Sequence, residues 1–283
     1  MGALSAGERL AQTTYPDGSV SFAPVVASLP VPKAWKGNPV PIFSDLFTGT
    51  TLDTTKWNPG ICSESSGGYY WNGGEFPAGS GDSGTGSPNN AEYYSPRQLS
   101  TGNGLTISAT PDSSQKGYSW RSGIVCTYGK FALDSGIVRV RAQLPDCSTG
   151  AWPAIWFISN NASGDGEFDL IEGGMTHSTY PVNSLLASTY HYPSLPIGQV
   201  QSFEVVAPLT VMHDYDFWYA PGKSITCWMD DVLVANFTSA IISDPYQIVL
   251  DLAVATPAAS SWHTTGTPLG SAFHIAGVTA WGT

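Results

Sequence analysis

The chain has 283 residues and a formal net charge of −11 at pH 7, from 22 Asp plus Glu against 11 Lys plus Arg. So few cations argue against a surface that tracks a phosphate backbone. Only 12% of residues are charged, about half the usual share, while 31 Gly, 21 Pro and 34 aromatic residues exclude a helical bundle and predict an all-β protein.

Residues 1–41 carry little periodic pattern and are punctuated by Pro16, Pro24, Pro30, Pro32, Pro39 and Pro41, as in a linker or docking arm. Ser5 is placed to cap one short helix through Thr13, and the arm is expected to pack on the domain or on an assembly partner. The opening Met1-Gly-Ala-Leu-Ser-Ala-Gly-Glu-Arg-Leu10 lacks the basic and apolar regions of a signal peptide. An extracellular or cell-surface protein then requires a signal already removed or another export route. No stretch approaches the roughly 20 apolar residues of a membrane span.

From residue 42 to 283 a single large domain is expected, because a period of two takes over. Strands are predicted at 105–109, at 137–144, where Val138, Val140, Ala142 and Leu144 alternate with Arg139, Arg141 and Gln143, and at 224–230, 232–237 and 246–254. Separated by Gly, Pro, Asn and Asp clusters, such strands read as an antiparallel sandwich. The Gly- and Ser-rich stretch 63–90, with Tyr69, Tyr70 and Trp71, is long enough to be a functional loop lining a cleft. Cys62, Cys126, Cys147 and Cys227 lack the spacing of a zinc site, so no metal cluster is expected. Two disulfides in three connectivities, or four buried thiols, remain open.

The most informative segment is Gly164-Asp-Gly-Glu-Phe-Asp-Leu-Ile-Glu-Gly-Gly174, in which Glu167, Asp169 and Glu172 interrupt an apolar strand. In a regular strand Glu167 and Asp169 share one face and Glu172 points to the other. One β-bulge between Asp169 and Glu172 brings all three to one side. Carboxyls so crowded cannot all ionise, and at least one pKa must rise. An acid that keeps its proton beside an ionised carboxylate is the pairing that glycoside hydrolysis uses.

That segment, preceded by Gly150-Ala-Trp-Pro-Ala-Ile-Trp-Phe-Ile158, resembles the Glu-x-Asp-x-x-Glu signature of glycoside hydrolase family 16, the laminarinase, endo-β-glucanase and agarase family. Further similarity lies at 43–57, 90–96, 136–145 and 250–254, so the resemblance covers about residues 42–281. It implies a jelly-roll sandwich of two antiparallel sheets with a concave substrate cleft, and a retaining endo-hydrolase of a β-linked neutral polysaccharide. The first substrate expected is a 1,3-β-glucan; a β-galactan, transglycosylation, or a carbohydrate-binding component of a larger assembly are the alternatives. By the same resemblance Glu167 is the nucleophile, Glu172 the general acid and Asp169 the partner of the nucleophile. Trp152 and Trp156 are sugar-stacking platforms or core, and Glu92, Trp120, Arg121, His191 and Trp262 are further cleft candidates. No cofactor is implied. Leu46 and Ala276 stand where many members place calcium ligands, so no such metal is expected.

Overall fold

The computed structural model describes residues 9–14, 20–25, 27–59, 82–85, 87–159, 166–191, 199–205 and 207–283. Two antiparallel sheets pack face to face, and their strands are those in which β-branched or aromatic residues recur at every second position. One sheet runs, in spatial order, through Gln199–Glu204, Leu185–His191, Glu167–Glu172, Ala151–Ser159, Tyr246–Val254, Ile124–Cys126 and Asn58–Pro59. The other orders Val232–Phe237, Ser224–Met229, His213–Ala220, Gly136–Gln143, Ala272–Gly282, Leu105–Ser108 and Leu99–Ser100, with Phe43–Asp45 also paired to the long Ala272–Gly282 strand. In a small third sheet Trp120–Ser122 runs parallel to Glu92–Tyr94.

The core fills the space between the two large sheets. Val138, Val140 and Ala142 point inward from one sheet; Ile155, Phe157, Phe168 and Leu252 point inward from the other, all fully buried. Phe157 stacks on Phe217 with ring centroids 3.8 Å apart, and Phe168 meets Phe217 and Phe237 at 5.2 and 5.3 Å, so aromatic contacts tie the sheets together.

The outward-facing arginines of the predicted 137–144 strand are both held by aspartates of the neighbouring strand; Arg139 is buried and Arg141 stays partly exposed. Arg139 makes two 2.7 Å bonds to Asp216, directly opposite it, and Arg141 clasps Asp214 in the same way at 2.7 and 2.8 Å. Residues 29–39 lie on this outer face: the Leu29 amide donates to Thr279, the Trp281 indole donates to the Pro39 carbonyl, and Trp35 is buried edge-on against Trp218. The Asp230-Asp231 turn adopts positive φ at both residues, 49° and 64°, as a two-residue hairpin turn requires. Its carboxylates receive His213 and Arg139, which offsets the cost of the conformation.

The helix expected from Ser5 to Thr13 is not formed in its described part. Arg9–Thr14 is a strand paired antiparallel with Val20–Val25; Thr13 and Thr14 are β-branched, and the partner offers Val20, Phe22 and Val25, all strand formers. Tyr69, Tyr70 and Trp71 of the aromatic loop lie outside the described residues. Cys126, Cys147 and Cys227 are free buried thiols, which rules out two disulfides; Cys62 lies outside the described residues.

Because Phe217 bridges both sheets, Phe217→Ala should cost about 3–5 kcal/mol. A lower denaturant midpoint at an unchanged slope would show it.

Candidate active site

The carboxyl cluster lies on the outer face of the sheet that contains Glu167–Glu172. Trp152, Ala154 and Trp156 alternate outward along Ala151–Ser159, because side chains two apart share a face. The neighbouring strand pairs Ile155 with Ile171 but Trp156 with Asp169, so Leu170 has no opposite number. This is the bulge expected between Asp169 and Glu172. Leu170 and Ile171 both turn into the core, and Glu172 emerges on the same side as Glu167 and Asp169.

Across this face the pairing sets three rows. His191 lies opposite Glu167, Thr189 opposite Asp169, and Glu172 opposite Ala154, whose other neighbour is Asp251. A cleft of about 180 Å³ opens here, lined by Glu167, Asp169, Glu172 and Asp251, by Trp152, Trp156 and Tyr94, and by Asn90, Ala154 and Ala253. The small Ala154 leaves the floor open between Glu172 and Asp251.

Glu172, Asp251 and Asp169 each have a polar side chain close by. The Trp152 indole donates to Glu172 Oε1 at 3.2 Å. Asp251 accepts from the Trp156 indole at 2.8 Å and from the Tyr94 hydroxyl at 2.6 Å. His191 Nε2 lies 3.2 Å from Asp169 Oδ2. Among the described residues Glu167, Asp169 and His191 form the one group with the makings of a metal site, their ligand atoms within 4.8 Å of one another.

Burial dominates the electrostatics. It pushes Glu172 well above the usual carboxylate range; the charges of Asp169 and Glu167 add to the effect, and His191 and the Trp152 hydrogen bond oppose it. Burial, then Glu167, then Asp251 raise Asp169 in the same way. Asp251 is pushed up to about 7 by burial despite its two aromatic donors. Glu92 rises to about 8, again by burial, although the Val254 amide and Asn90 hold it back. Glu167 is partly exposed and supplies the charge that acts on the other three.

Of the residues singled out in the sequence, Glu167, Asp169, Glu172, Trp152 and Trp156 meet in the cleft. Trp156 is nearly buried and forms its floor. His191 stands at the exposed rim beside Asp169, and Trp262 meets Trp152 edge-on at 4.9 Å. Three expectations need correction. Trp120 packs into the inter-sheet core, because its position in Trp120–Ser122 turns the ring inward. Arg121, one residue on, faces away and is held by Asp112 at 3.0 Å. Glu92 is fully buried behind the cleft wall, where it binds the Val254 amide at 2.7 Å and Asn90 at 3.0 Å. Asp251 and Tyr94 were not among the predicted site residues. Asp251 carried a signal of the same kind as Glu167, an acid inside an apolar strand.

Residues 62–180 match the family described as beta-glucan synthesis-associated protein SKN1/KRE6/Sbg1. The chain is 29% identical over 156 residues to the endo-1,3-1,4-beta-glycanase EglC of Rhizobium meliloti, covering 53% of this chain and 32% of that protein. It is 28% identical over 239 residues to glucan endo-1,3-beta-glucosidase A1 of Niallia circulans, covering 75% and 33%. It thus spans about a third of the length of these relatives. The laminarinase catalytic domain of Thermotoga maritima superposes with a TM-score of 0.66 at 21% identity, covering 86% of this chain and 98% of that one. SCLam, a non-specific endo-beta-1,3(4)-glucanase from family GH16, gives 0.66 at 19%, covering 90% and 93%. The fold is the jelly roll of the laminarinases, as the resemblance to glycoside hydrolase family 16 implied.

The raised carboxyls carry a consequence for stability. Glu92 and Asp251, pushed up to about 8 and about 7, keep protons in the folded state that the unfolded chain gives up near pH 4, so stability falls as pH rises from about 4 to about 8, and the upward shifts of Asp169 and Glu172 act in the same direction. Asp251→Asn, which retains an acceptor for Trp156, should raise the melting temperature at pH 8. The gain, on the order of 1–4 kcal/mol, should vanish below pH 4; an equal gain at both pH values would contradict this assignment.

Proposed function

We propose that the protein is a retaining endo-hydrolase of a neutral β-glucan, with 1,3 linkages first and mixed 1,3-1,4 linkages second. The observation that carries this reading is the bulge at Leu170, which sets Glu167 and Glu172 on one face of an aromatic cleft with their environments pulling apart. Glu167 attacks the anomeric carbon while Glu172 gives its proton to the departing glycosidic oxygen. The C–O bond breaks as the bond to Glu167 forms. Glu172, now ionised, takes a proton from water, whose oxygen displaces Glu167 and releases the sugar with its β configuration retained.

Supporting features are the raised pKa of Glu172, which favours the protonated form a general acid needs, and the raised pKa of Asp169, which favours its neutral form beside Glu167. Trp152 offers the ring on which a sugar stacks. An acidic chain with an aromatic cleft suits an uncharged polymer better than a sulfated one. The names of the relatives, endo-1,3-1,4-beta-glycanase and glucan endo-1,3-beta-glucosidase, point to the same polymers. Such a polymer lies outside the cell, which sets the working location there. We read residues 1–41 as an extension of the hydrolase domain at 42–283, with 29–39 laid on the sheet remote from the cleft.

A second reading is transglycosylation, favoured by the match to a family described by glucan synthesis. The same glycosyl-enzyme serves either reaction; the acceptor decides.

With laminarin, mixed-linkage glucan, agarose and arabinogalactan as substrates, wild type should release reducing ends from the glucans, as β-anomers first. Glu167→Gln and Glu172→Gln should each lower the rate by about 10³-fold or more. Cleavage by either variant at the wild-type rate would overturn the assignment, and oligosaccharides longer than the donor would select transglycosylation.

A further inference from the structure

His263 is almost completely buried next to the cleft but does not line it. Its Nδ1 lies 2.6 Å from the Thr264 carbonyl and its Nε2 lies 2.8 Å from the Gly173 carbonyl, the residue that follows Glu172. A carbonyl only accepts, and a neutral imidazole carries one N–H, so the ring donates to one carbonyl at a time unless it takes a second proton. Burial pulls its pKa below the ordinary value, and the two carbonyls pull it back.

The ring is also a fastener. Met175 and His263 form an isolated β-bridge, the Thr264 amide donates to Gly174 O at 2.8 Å, and the Thr176 amide donates to Trp262 O at 2.9 Å. The segment that carries Trp262 is thereby stitched to the end of the strand that carries Glu172. Gly174 makes room for it: with φ of +95°, a Cβ there would lie 2.3 Å from the His263 ring. On its other side the ring packs on Trp152, centroids 4.9 Å apart. Trp152 is the residue whose indole donates to Glu172.

We propose that His263 is a positioning residue for Glu172: it holds the Gly173 carbonyl on one side and the Trp152 indole on the other, fixing the acid and its hydrogen-bond donor relative to each other. In its kinetic part this rests on the hydrolase reading above; the carboxyl titration does not. The groups that face the ring are Trp152, Trp262 and the backbone of Gly173, Gly174 and Thr264. The effect therefore travels through Trp152 and the strand end.

The test is the titration of the Glu172 carboxyl, followed by NMR in protein labelled with ¹³C at glutamate Cδ and assigned by Glu172→Gln. His263→Phe keeps the ring volume and the contact with Trp152 but loses the N–H donor. It should move the Glu172 titration upward by about half to one pH unit, the worth of one hydrogen bond. Trp152→Phe should do the same, and the double variant should shift no further than either alone. His263→Gln, which keeps a donor for Gly173 O, should restore the wild-type titration. On a cleavable glucan, His263→Phe should lower kcat about tenfold or more while KM changes by less than about twofold. A wild-type titration in His263→Phe, or shifts that add in the double variant, would overturn the proposal. If wild type cleaved no glucan yet Glu172 responded as described, the hydrolase reading would fail and the positioning role would stand.

Discussion

Everything at this site depends on how a folded sheet tolerates several carboxyl groups on one poorly hydrated face. Two carboxylates about 5 Å apart at an effective dielectric near 20 repel by about 3 kcal/mol, and burial adds its own penalty. Protonation is the cheapest relief, and it is unequal because the surroundings are unequal. Glu167 stays partly exposed, whereas Asp169, Glu172 and Asp251 are driven toward their neutral forms by burial first and by neighbouring charge second. The asymmetry that a two-carboxyl mechanism requires is thus a by-product of crowding.

The crowding is itself imposed by one extra residue. Leu170 breaks the two-residue period of its strand, and the core accepts this because both Leu170 and Ile171 find apolar partners between the sheets. Behind them the Phe157–Phe217 stack and the Phe168 contacts make the strand hard to displace. On the far face the bidentate Arg139–Asp216 and Arg141–Asp214 pairs fix the opposing sheet. A cleft on such a frame is organised before a substrate arrives, so binding energy need not be spent on assembling it.

The same logic explains what the sequence disclosed. Strands at 232–237 and 246–254 were legible because alternation and aromatic content agree with the sheet environment. The bulge was legible because three acids at that spacing have no other arrangement that keeps them on one face. Trp120 and Arg121 were misplaced because adjacent residues of a strand face opposite ways, and nothing local says which face is the cleft. Glu92 was hidden by the opposite problem: a buried acid that binds backbone looks, in sequence, like one that binds substrate. Asp251 and Tyr94 meet across 157 positions, a distance that no local pattern spans. The Arg9–Thr14 strand was obscured because its partner lies beyond a Pro-Asp-Gly sequence, and only pairing makes it a strand.

The central claim is that Glu167 becomes covalently bonded to the sugar. An activated 2-deoxy-2-fluoro-β-laminaribioside, whose fluorine slows the second step, should trap that species, and peptide mass spectrometry of the inactivated protein would locate it. The account predicts one glycosyl group on the peptide that contains Glu167, with none formed on Glu167→Gln. Label on Glu172 instead, or continued turnover with no labelled carboxylate, would contradict it.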